Sequence, residues 1–317
     1  MPAYTVSRSI LVDASASAVF DTIADFGTWT RWSPWLPIDP AAEVTVSDPP
    51  AAVGSRYAWK GEIVGQGSME HQTLDAERGH IESKLVFVKP FRSESRVLFE
   101  IRRDGDQAHV TWVMEGKLPW FLFWMKSNLE TFVGMDYERG LAMLKEFIET
   151  GRVTSKMEVH GIESVQAACV AGVRDRCPME QLASAMGTAM EKIEAEIGQQ
   201  DSTAAAYREW PRASVYHESS NLKTRQFEWT TGVLTTDAGA EPPTGWTATA
   251  LPAGKFLRLT HTGSYDHLGN AWSGAYQYAQ AKKIKIRSAA SFEIYRNDPS
   301  QTPAESLVTD VYLPVRG

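Results

Sequence analysis

This chain of 317 residues has few cysteines, no long apolar run and no recognisable leader segment. Each of these features limits the class of protein to which it can belong. Two cysteines, Cys169 and Cys177, are too few for a disulfide framework, which favours a reducing compartment. The densest apolar stretch, residues 118–125, is far shorter than the roughly 18 residues that cross a bilayer. The first residues lack a basic segment followed by an apolar one. We therefore expect a cytoplasmic protein without a membrane partner.

Motifs for metals, cofactors and nucleic acids are missing as well. No HExxH, HxH or HxxxH spacing occurs, so we expect no metal. No GxSxG, GxGxxG or GxxxxGK[ST] segment occurs, so the sequence supports neither a serine hydrolase nor a nucleotide cofactor. The formal net charge is −7, and no group of Lys and Arg lies on one helical face. Nucleic-acid binding needs such a patch and is not expected.

What the first half does contain is a series of strands closed by one long helix. Alternating apolar and polar residues predict seven strands, at about 4–12, 42–47, 55–60, 62–72, 80–88, 92–103 and 107–116. A short helix is predicted over 15–24 and a long one over 126–150, with Phe132 and Tyr137 facing the sheet. Gly140 costs that helix about 1 kcal/mol relative to Ala, which is tolerable if another residue packs closely on it.

This order of elements resembles the SRPBCC superfamily, the START and birch-pollen-allergen group that includes polyketide cyclase/dehydrase-like proteins. The motifs that carry the resemblance are Val12-Asp13-Ala14, Phe20, Phe26-x-x-Trp29-x-x-Trp32-Ser33-Pro34-Trp35 and Asp136-Tyr137-Glu138-Arg139-Gly140-Leu141-x-x-Leu144-Lys145. The resemblance implies a helix-grip domain over residues 1–150, with an antiparallel sheet, a long C-terminal helix and an apolar cavity between them. Residues 150–156 are the expected linker.

The second half, residues 157–317, reads as two copies of a strand–helix–strand–strand unit. The first copy has a strand at about 165–173, a helix at 178–197 and strands at 213–217 and 226–235. The second has a strand at about 254–262, a helix at 266–282 and strands at 289–296 and 307–314. With the first half, this predicts an α+β protein of two domains.

The second half resembles the GyrI-like domain, the effector-binding module of bacterial multidrug-sensing activators. The motifs that carry the resemblance are Pro178-Met179-Glu180, Val215-Tyr216-His217, Phe227-Glu228, Thr262-Gly263-Ser264-Tyr265, Phe292-Glu293-Ile294-Tyr295-x-Asn297-Asp298-Pro299 and Thr309-Asp310-Val311-Tyr312-Leu313-Pro314-Val315. The activators carry a DNA-binding helix-turn-helix where this chain has the helix-grip pattern, so transcriptional activation is in doubt.

Glu293 is the residue most suited to carry chemistry. On a strand, Ser291, Glu293 and Tyr295 point to one face and their neighbours to the other. A carboxylate in an apolar strand is unusual, because Glu is depleted in strands and is rarely buried without a partner. Such a carboxylate binds a hydrophobic cation, or acts as a general acid or base with Tyr295 assisting. The alternative is a Glu on a solvated edge strand or a Glu in an ion pair.

Aromatic residues complete the expected ligand site, although any single one of them is better explained as core. The expected pocket walls are Tyr216, Trp229, Trp272, Tyr276 and Tyr312. The resemblance implies that Glu293 is the acidic centre of a ligand pocket.

Three functions follow from this site and the two resemblances. The first is binding of a hydrophobic or amphipathic, cationic small molecule without a cofactor. The second is an enzyme: a hydrolase of strained electrophiles that uses Glu293 and Tyr295, as the resemblance implies for some family members, or a cyclase or dehydratase in the N-terminal cavity. The third is a protein partner, since GyrI-like members are named for inhibition of DNA gyrase.

Overall fold

The chain forms two compact units, Met1–Ser155 and Lys156–Gly317. The computed structural model describes residues 3–89, 92–117, 126–199, 203–218, 224–235 and 241–316. One antiparallel sheet of seven strands lies in the first unit and one of eight strands in the second, so the fold is α+β. Within the described ranges, no helix is both long enough and apolar enough to cross a membrane, and the apolar stretch 118–125 lies outside them.

The first unit contains the predicted series of strands. They are β1 (Ala3–Val12), β2 (Glu43–Val46), β3 (Arg56–Lys60), β4 (Gln66–Asp75), β5 (His80–Lys89), β6 (Ser93–Asp104) and β7 (Gln107–Lys117). The sheet order is β1-β7-β6-β5-β4-β3-β2, so each strand from β2 to β6 pairs with its successor, and β7 also pairs with β1. Helix α1 (Ala16–Ala24) follows β1 and is capped by Ser15, whose hydroxyl accepts a hydrogen bond from the Ala18 amide at 3.2 Å.

Helix α2 (Lys126–Thr150) packs along β1 and fixes the core of the first unit. Tyr137 stacks on Trp112 with ring centroids 4.0 Å apart. Gly140 lies against the same Trp112 ring, because a Cβ there would come within 2.7 Å of it. The expected close packing on Gly140 is therefore confirmed. The expectation for Phe132 is wrong, since its side chain is 53% exposed and lies outside the apolar stripe of α2.

One buried histidine in this core was not expected. The His71 ring stacks on Phe26 at 3.9 Å and is fully buried. Its Nε2 donates to the Ala24 carbonyl at 2.9 Å, since a carbonyl can only accept, and its Nδ1 then accepts from the Ser83 hydroxyl at 2.9 Å. Burial lowers the pKa of His71, so the neutral ring is the stable form.

The second unit has two more strands than expected. They are β8 (Ser155–Val165) and β12 (Thr247–Leu251), and β8 begins within the expected linker. The other elements are β9 (Ala168–Pro178), α3 (Leu182–Gly198), β10 (Arg212–Tyr216), β11 (Gln226–Thr235), β13 (Gly254–Gly263), α4 (Gly269–Ala281), β14 (Ser291–Tyr295) and β15 (Val308–Val315). The sheet order is β12-β9-β11-β10-β14-β15-β13-β8.

The register of the central strands assigns each side chain in the second sheet to one of two faces. Glu293 lies opposite Ser214 on β10, and Tyr216, two residues further, lies opposite Trp229 on β11. These residues share the face that α3 and α4 cover. The other face carries an apolar cluster in which Phe292 stacks on Tyr312 with ring centroids 4.4 Å apart.

Candidate functional site

Glu293 occupies the centre of the second sheet. Its strand, β14, lies between β10 and β15, so the residue has a hydrogen-bonded neighbour strand on each side. Phe292 and Ile294 point into the apolar cluster of one face, and this alternation turns Glu293 to the face under α4. Its side chain is buried, with only 1% of the residue exposed. The expectation of an edge-strand Glu does not apply.

Three neutral groups donate hydrogen bonds to the Glu293 carboxylate. Trp272 of α4 donates its indole N–H to Oε1 at 2.5 Å, and the Tyr216 hydroxyl donates to the same oxygen at 3.0 Å. The Tyr295 hydroxyl donates to Oε2 at 2.8 Å. Within the part of the chain that the structure describes, no basic side chain forms an ion pair with Glu293. The carboxylate therefore has hydrogen-bond donors but no counter-charge.

Burial sets the protonation of this group. Desolvation raises the pKa of Glu293, and the hydrogen bonds from Trp272, Tyr295 and Tyr216 oppose that rise without cancelling it. The pKa values of Tyr216 and Tyr295 lie well above their ordinary value, first because of burial and then because of the negative charge of Glu293. Both phenols therefore keep their protons and act as donors. Burial therefore favours the protonated form of the carboxyl group.

A chain of hydroxyl groups continues from the carboxylate into the sheet. The Tyr295 hydroxyl also lies 2.9 Å from Ser214 Oγ, which lies 2.7 Å from Thr231 Oγ1. A phenol has one proton, so when Tyr295 donates to Glu293 its oxygen accepts the proton of Ser214. Sequence reasoning gave Ser214 and Thr231 no role. Their pairing with Glu293 depends on strand register, which the residue types do not reveal.

Tyr265 is a further aromatic neighbour that sequence reasoning left without a role. It precedes α4 and is 37% exposed, and its ring meets the Tyr295 ring edge to face at 5.5 Å. Burial, and next the charge of Glu293, raise the pKa of Tyr265 to about 12. The signal was its place in the Thr262-Gly263-Ser264-Tyr265 motif.

The expected aromatic residues divide into those at the carboxylate and those elsewhere. Tyr216 and Trp272 contact each other edge to face at 5.3 Å beside Glu293. Trp229 is on the same face but is buried in a cluster under α3, where its N–H donates to the Cys177 sulfur at 3.2 Å. Tyr276, one helical turn after Trp272, is 42% exposed. Tyr312 lies on the opposite face of the sheet and does not join this group.

A second buried carboxylate, Asp310, shows how an ordinary charge is held in the same sheet. It lies 3.1 Å from Arg258 Nη2 and 2.5 Å from Arg296 Nη2, and its other oxygen accepts from the Thr260 hydroxyl. Asp310 and Glu293 are equally buried, at 1% exposed each. Two guanidinium groups neutralise Asp310, whereas Glu293 has only neutral donors. The two buried carboxylates therefore differ in whether a basic side chain balances their charge.

No metal site accompanies these residues. Among the described residues, no three His, Cys, Asp or Glu side chains are placed to hold one ion.

Comparison with known families covers both units. Residues 159–316 match the model of the GyrI-like small molecule binding domain. Residues 3–149 match the model described as polyketide cyclase / dehydrase and lipid transport. No curated protein matches the chain.

Several solved structures are similar to part of the chain. A solution structure from Thermobifida fusca is 21% identical, covers 45% of this chain and 92% of its own, and has a TM-score of 0.37. A crystal structure from Chromobacterium violaceum is 14% identical over 46% of this chain and 98% of its own, with a TM-score of 0.36. A protein from Thermus thermophilus is 16% identical over the same shares, also with a TM-score of 0.36.

The two family matches agree with the two sequence resemblances and occur in the same order along the chain. The chain therefore joins a domain of the polyketide cyclase, dehydrase and lipid transport family to a domain of the GyrI-like small-molecule binding family.

Proposed function

We propose that the second unit binds a hydrophobic, positively charged small molecule, with Glu293 as its counter-charge. The observation that carries this proposal is a fully buried carboxylate held only by neutral donors. Burying an unpaired charge is costly, and the cost is recovered when a cation of opposite charge enters the same low-dielectric site. The rings of Tyr216 and Trp272 add cation–π attraction of about 0.5–2 kcal/mol.

We further propose that residues 1–150 form a helix-grip domain and that residues 157–317 form a duplicated domain. The position of α2 along β1 supports the first part. The order β8-β9-α3-β10-β11 followed by β12-β13-α4-β14-β15 supports the second, with one strand more per copy than the sequence predicts. The sheet order reads symmetrically from the β10–β14 pair outward.

This internal symmetry relates the residues around the carboxylate. Ser214 on β10 lies directly opposite Glu293 on β14, and each is followed two residues later by a tyrosine, Tyr216 or Tyr295. The two phenols that donate to the carboxylate thus stand at matching positions of the two copies. A ligand site on the axis of a duplicated domain is shared by both copies.

Calorimetric titration of the full chain with tetraphenylphosphonium tests the binding proposal, with neutral triphenylphosphine oxide as the uncharged comparison. Glu293→Gln should weaken cation binding about a hundredfold, because a charge pair at about 4 Å in a partly polar site contributes several kcal/mol. Tyr295→Phe should weaken it about tenfold by removing one donor. Tyr312→Phe, a buried tyrosine of the opposite face, is the matched control and should bind as the native protein does.

Equal affinity of the native protein and Glu293→Gln for the cation would refute the role of the carboxylate. Equal affinity for the cation and the neutral comparison would refute the preference for positive charge.

A second candidate function, hydrolysis of a strained electrophile, is favoured by the 2.8 Å contact between Tyr295 and Glu293. In a cyclopropane-bearing substrate, Glu293 would take a proton from water while the water oxygen bonds to a ring carbon. The strained carbon–carbon bond breaks and its electron pair passes into the conjugated system of the substrate. Tyr295 then protonates the resulting anion. The proton on Glu293 then returns to Tyr295, so substrate and water give the ring-opened alcohol.

Product counting by mass spectrometry separates the two functions. The hydrolase predicts several turnovers for each protein molecule, lost in Glu293→Gln with the fold intact. Release of no more than one equivalent of product would exclude it. A cyclase or dehydratase reaction in the first unit is a further proposal that rests on the family description alone, and no residue there is assigned to it.

A further inference from the structure

A group of five basic residues gathers at one end of the second sheet. Its members, called the basic edge below, are Lys255, Lys283, Lys285, Arg287 and Arg316. Four of them are exposed and Arg287 is half-buried. The chain as a whole carries a net charge of −7, so the basic edge is a local reversal of sign.

Backbone pairing brings these distant positions together. Lys255 on β13 lies opposite Val315 of β15, and Ile286 forms a bridge to the same Val315 from the other side. The Arg316 amide donates to the Lys285 carbonyl at 2.8 Å, and the Arg287 amide donates to the Pro314 carbonyl at 3.0 Å. These residues come together through backbone pairing at the end of β15. A search for basic residues along helical faces therefore could not find the group.

These cations have no acidic partners within the described residues. None of the five forms an ion pair there. The one carboxylate that contacts this segment, Glu218, meets the Ser288 hydroxyl at 3.4 Å and no cation. By contrast, Arg258 and Arg296 of the same unit share Asp310. The positive charge of the basic edge is thus left for a ligand.

Arg287 supplies the most specific element of the group. Its guanidinium lies over the Phe256 ring at 5.7 Å and close to Gly254, where a Cβ would come within 2.6 Å of it. Its Nε and Nη2 atoms are buried and have no hydrogen-bond partner among the described residues. These two atoms form the edge of the guanidinium group that donates two parallel hydrogen bonds to an oxyanion. Unpaired buried donors are costly, so Arg287 gains free energy when this edge reaches an oxyanion.

We propose that the basic edge is a binding site for a soluble, multiply phosphorylated anion. One phosphoryl group takes the Nε–Nη2 edge of Arg287, which sits on a segment outside the regular strands and turns outward at the cost of the Phe256 contact. Lys255, Lys285 and Arg316 meet the remaining negative charge as point charges. A phosphate chain fits this arrangement better than a single carboxylate, since it offers several charged groups at once.

This site does not depend on Glu293, so its test can fail while the cation site stands. Titration of the full chain with inorganic tripolyphosphate at low salt should show binding that weakens as salt is added, because exposed charges are screened. Arg287→Gln should weaken binding about tenfold, and Arg287→Lys should recover it only in part because lysine cannot form the two parallel bonds.

A second variant keeps the proposal testable if Arg287→Gln fails to fold. Lys283→Gln/Lys285→Gln/Arg316→Gln should also weaken binding and reduce its salt dependence. Its matched control is Lys89→Gln/Lys117→Gln/Lys156→Gln, which removes three exposed cations elsewhere and should bind tripolyphosphate normally.

Three outcomes would overturn the proposal. The first is no binding of tripolyphosphate, and the second is equal loss in the two triple variants. The third is binding to vesicles with anionic headgroups, or to duplex DNA, in the absence of binding to tripolyphosphate.

Discussion

Replacing Glu293 by Gln removes an ionisable group from the centre of the second sheet while keeping its size and its ability to accept from Trp272. The native carboxyl has a raised pKa in the folded state, because desolvation outweighs three hydrogen bonds. A folded state that holds the proton more tightly than the unfolded chain is most stable at low pH. Its stability then falls as the pH rises from the unfolded pKa to the folded pKa, and stays level above that.

The magnitude follows from proton linkage. Between the two pKa values, one carboxyl changes the free energy of unfolding by up to about 1.4 kcal/mol for each pH unit. Below about pH 4.5, where the native carboxyl is neutral in both states, Glu293→Gln should match the native protein within about 1 kcal/mol. As the pH rises further, the variant should become progressively the more stable protein until the pH passes the folded pKa of Glu293.

Scanning calorimetry of the full chain across this pH range measures the effect. The relevant unfolding transition is the one whose midpoint temperature differs between the native protein and the variant. Taking the difference between the two proteins cancels every other titrating group. Glu241→Gln, which makes the same substitution at an exposed position of the same unit, is the matched control variant. The gain in stability of Glu293→Gln over the native protein should grow as the pH rises. A gain that stays constant or shrinks would refute the argument that burial outweighs the hydrogen bonds.

Two further predictions concern packing and paired charge. Gly140→Ala should destabilise the first unit by about 1–3 kcal/mol in urea denaturation, because the new Cβ overlaps Trp112 and this outweighs the better helix propensity of Ala. Gly187→Ala in α3 meets open space and should instead stabilise by up to about 1 kcal/mol, and destabilisation in both variants would contradict the steric reason. Asp310→Asn should cost about 1.5–3 kcal/mol in thermal unfolding, because it removes the carboxylate that Arg258 and Arg296 share and leaves Arg258 with Glu163 alone. A stability like that of Glu293→Gln would contradict the contrast between the two sites.

Periodicity was sufficient for the strands of the first unit and for the orientation of Glu293. In β1 and β7, for example, buried residues alternate with exposed or half-buried ones, so side-chain alternation reports the face directly. The same rule failed for Tyr312, because β15 is buried on both faces from Thr309 to Val315 and gives no alternation to follow. An aromatic residue in such a strand can be assigned to a face only through the register with its neighbours.

The strands β8 and β12 escaped prediction for a related reason. Both lie at the edges of the second sheet and pair with a single neighbour, so they need few apolar side chains. In β8 every second residue is exposed and the others are only half-buried, and Gly161 has a positive φ of 90°. Phe132 shows the opposite error, since an apolar residue at helical spacing was assigned to the core but lies at the border of the stripe.

The placement of β15 between β13 and β14 has a consequence for the order in which the two units acquire their structure. In the first unit, six of the seven strands form successive hairpins, which close small loops and assemble quickly. In the second unit, β8 pairs with β13, and the two copies are joined by the pair β10 and β14. Both pairings connect strands that lie far apart in the sequence. We expect refolding to be biphasic, with the first unit formed early and the second, which contains the Glu293 cluster, formed in the slow phase.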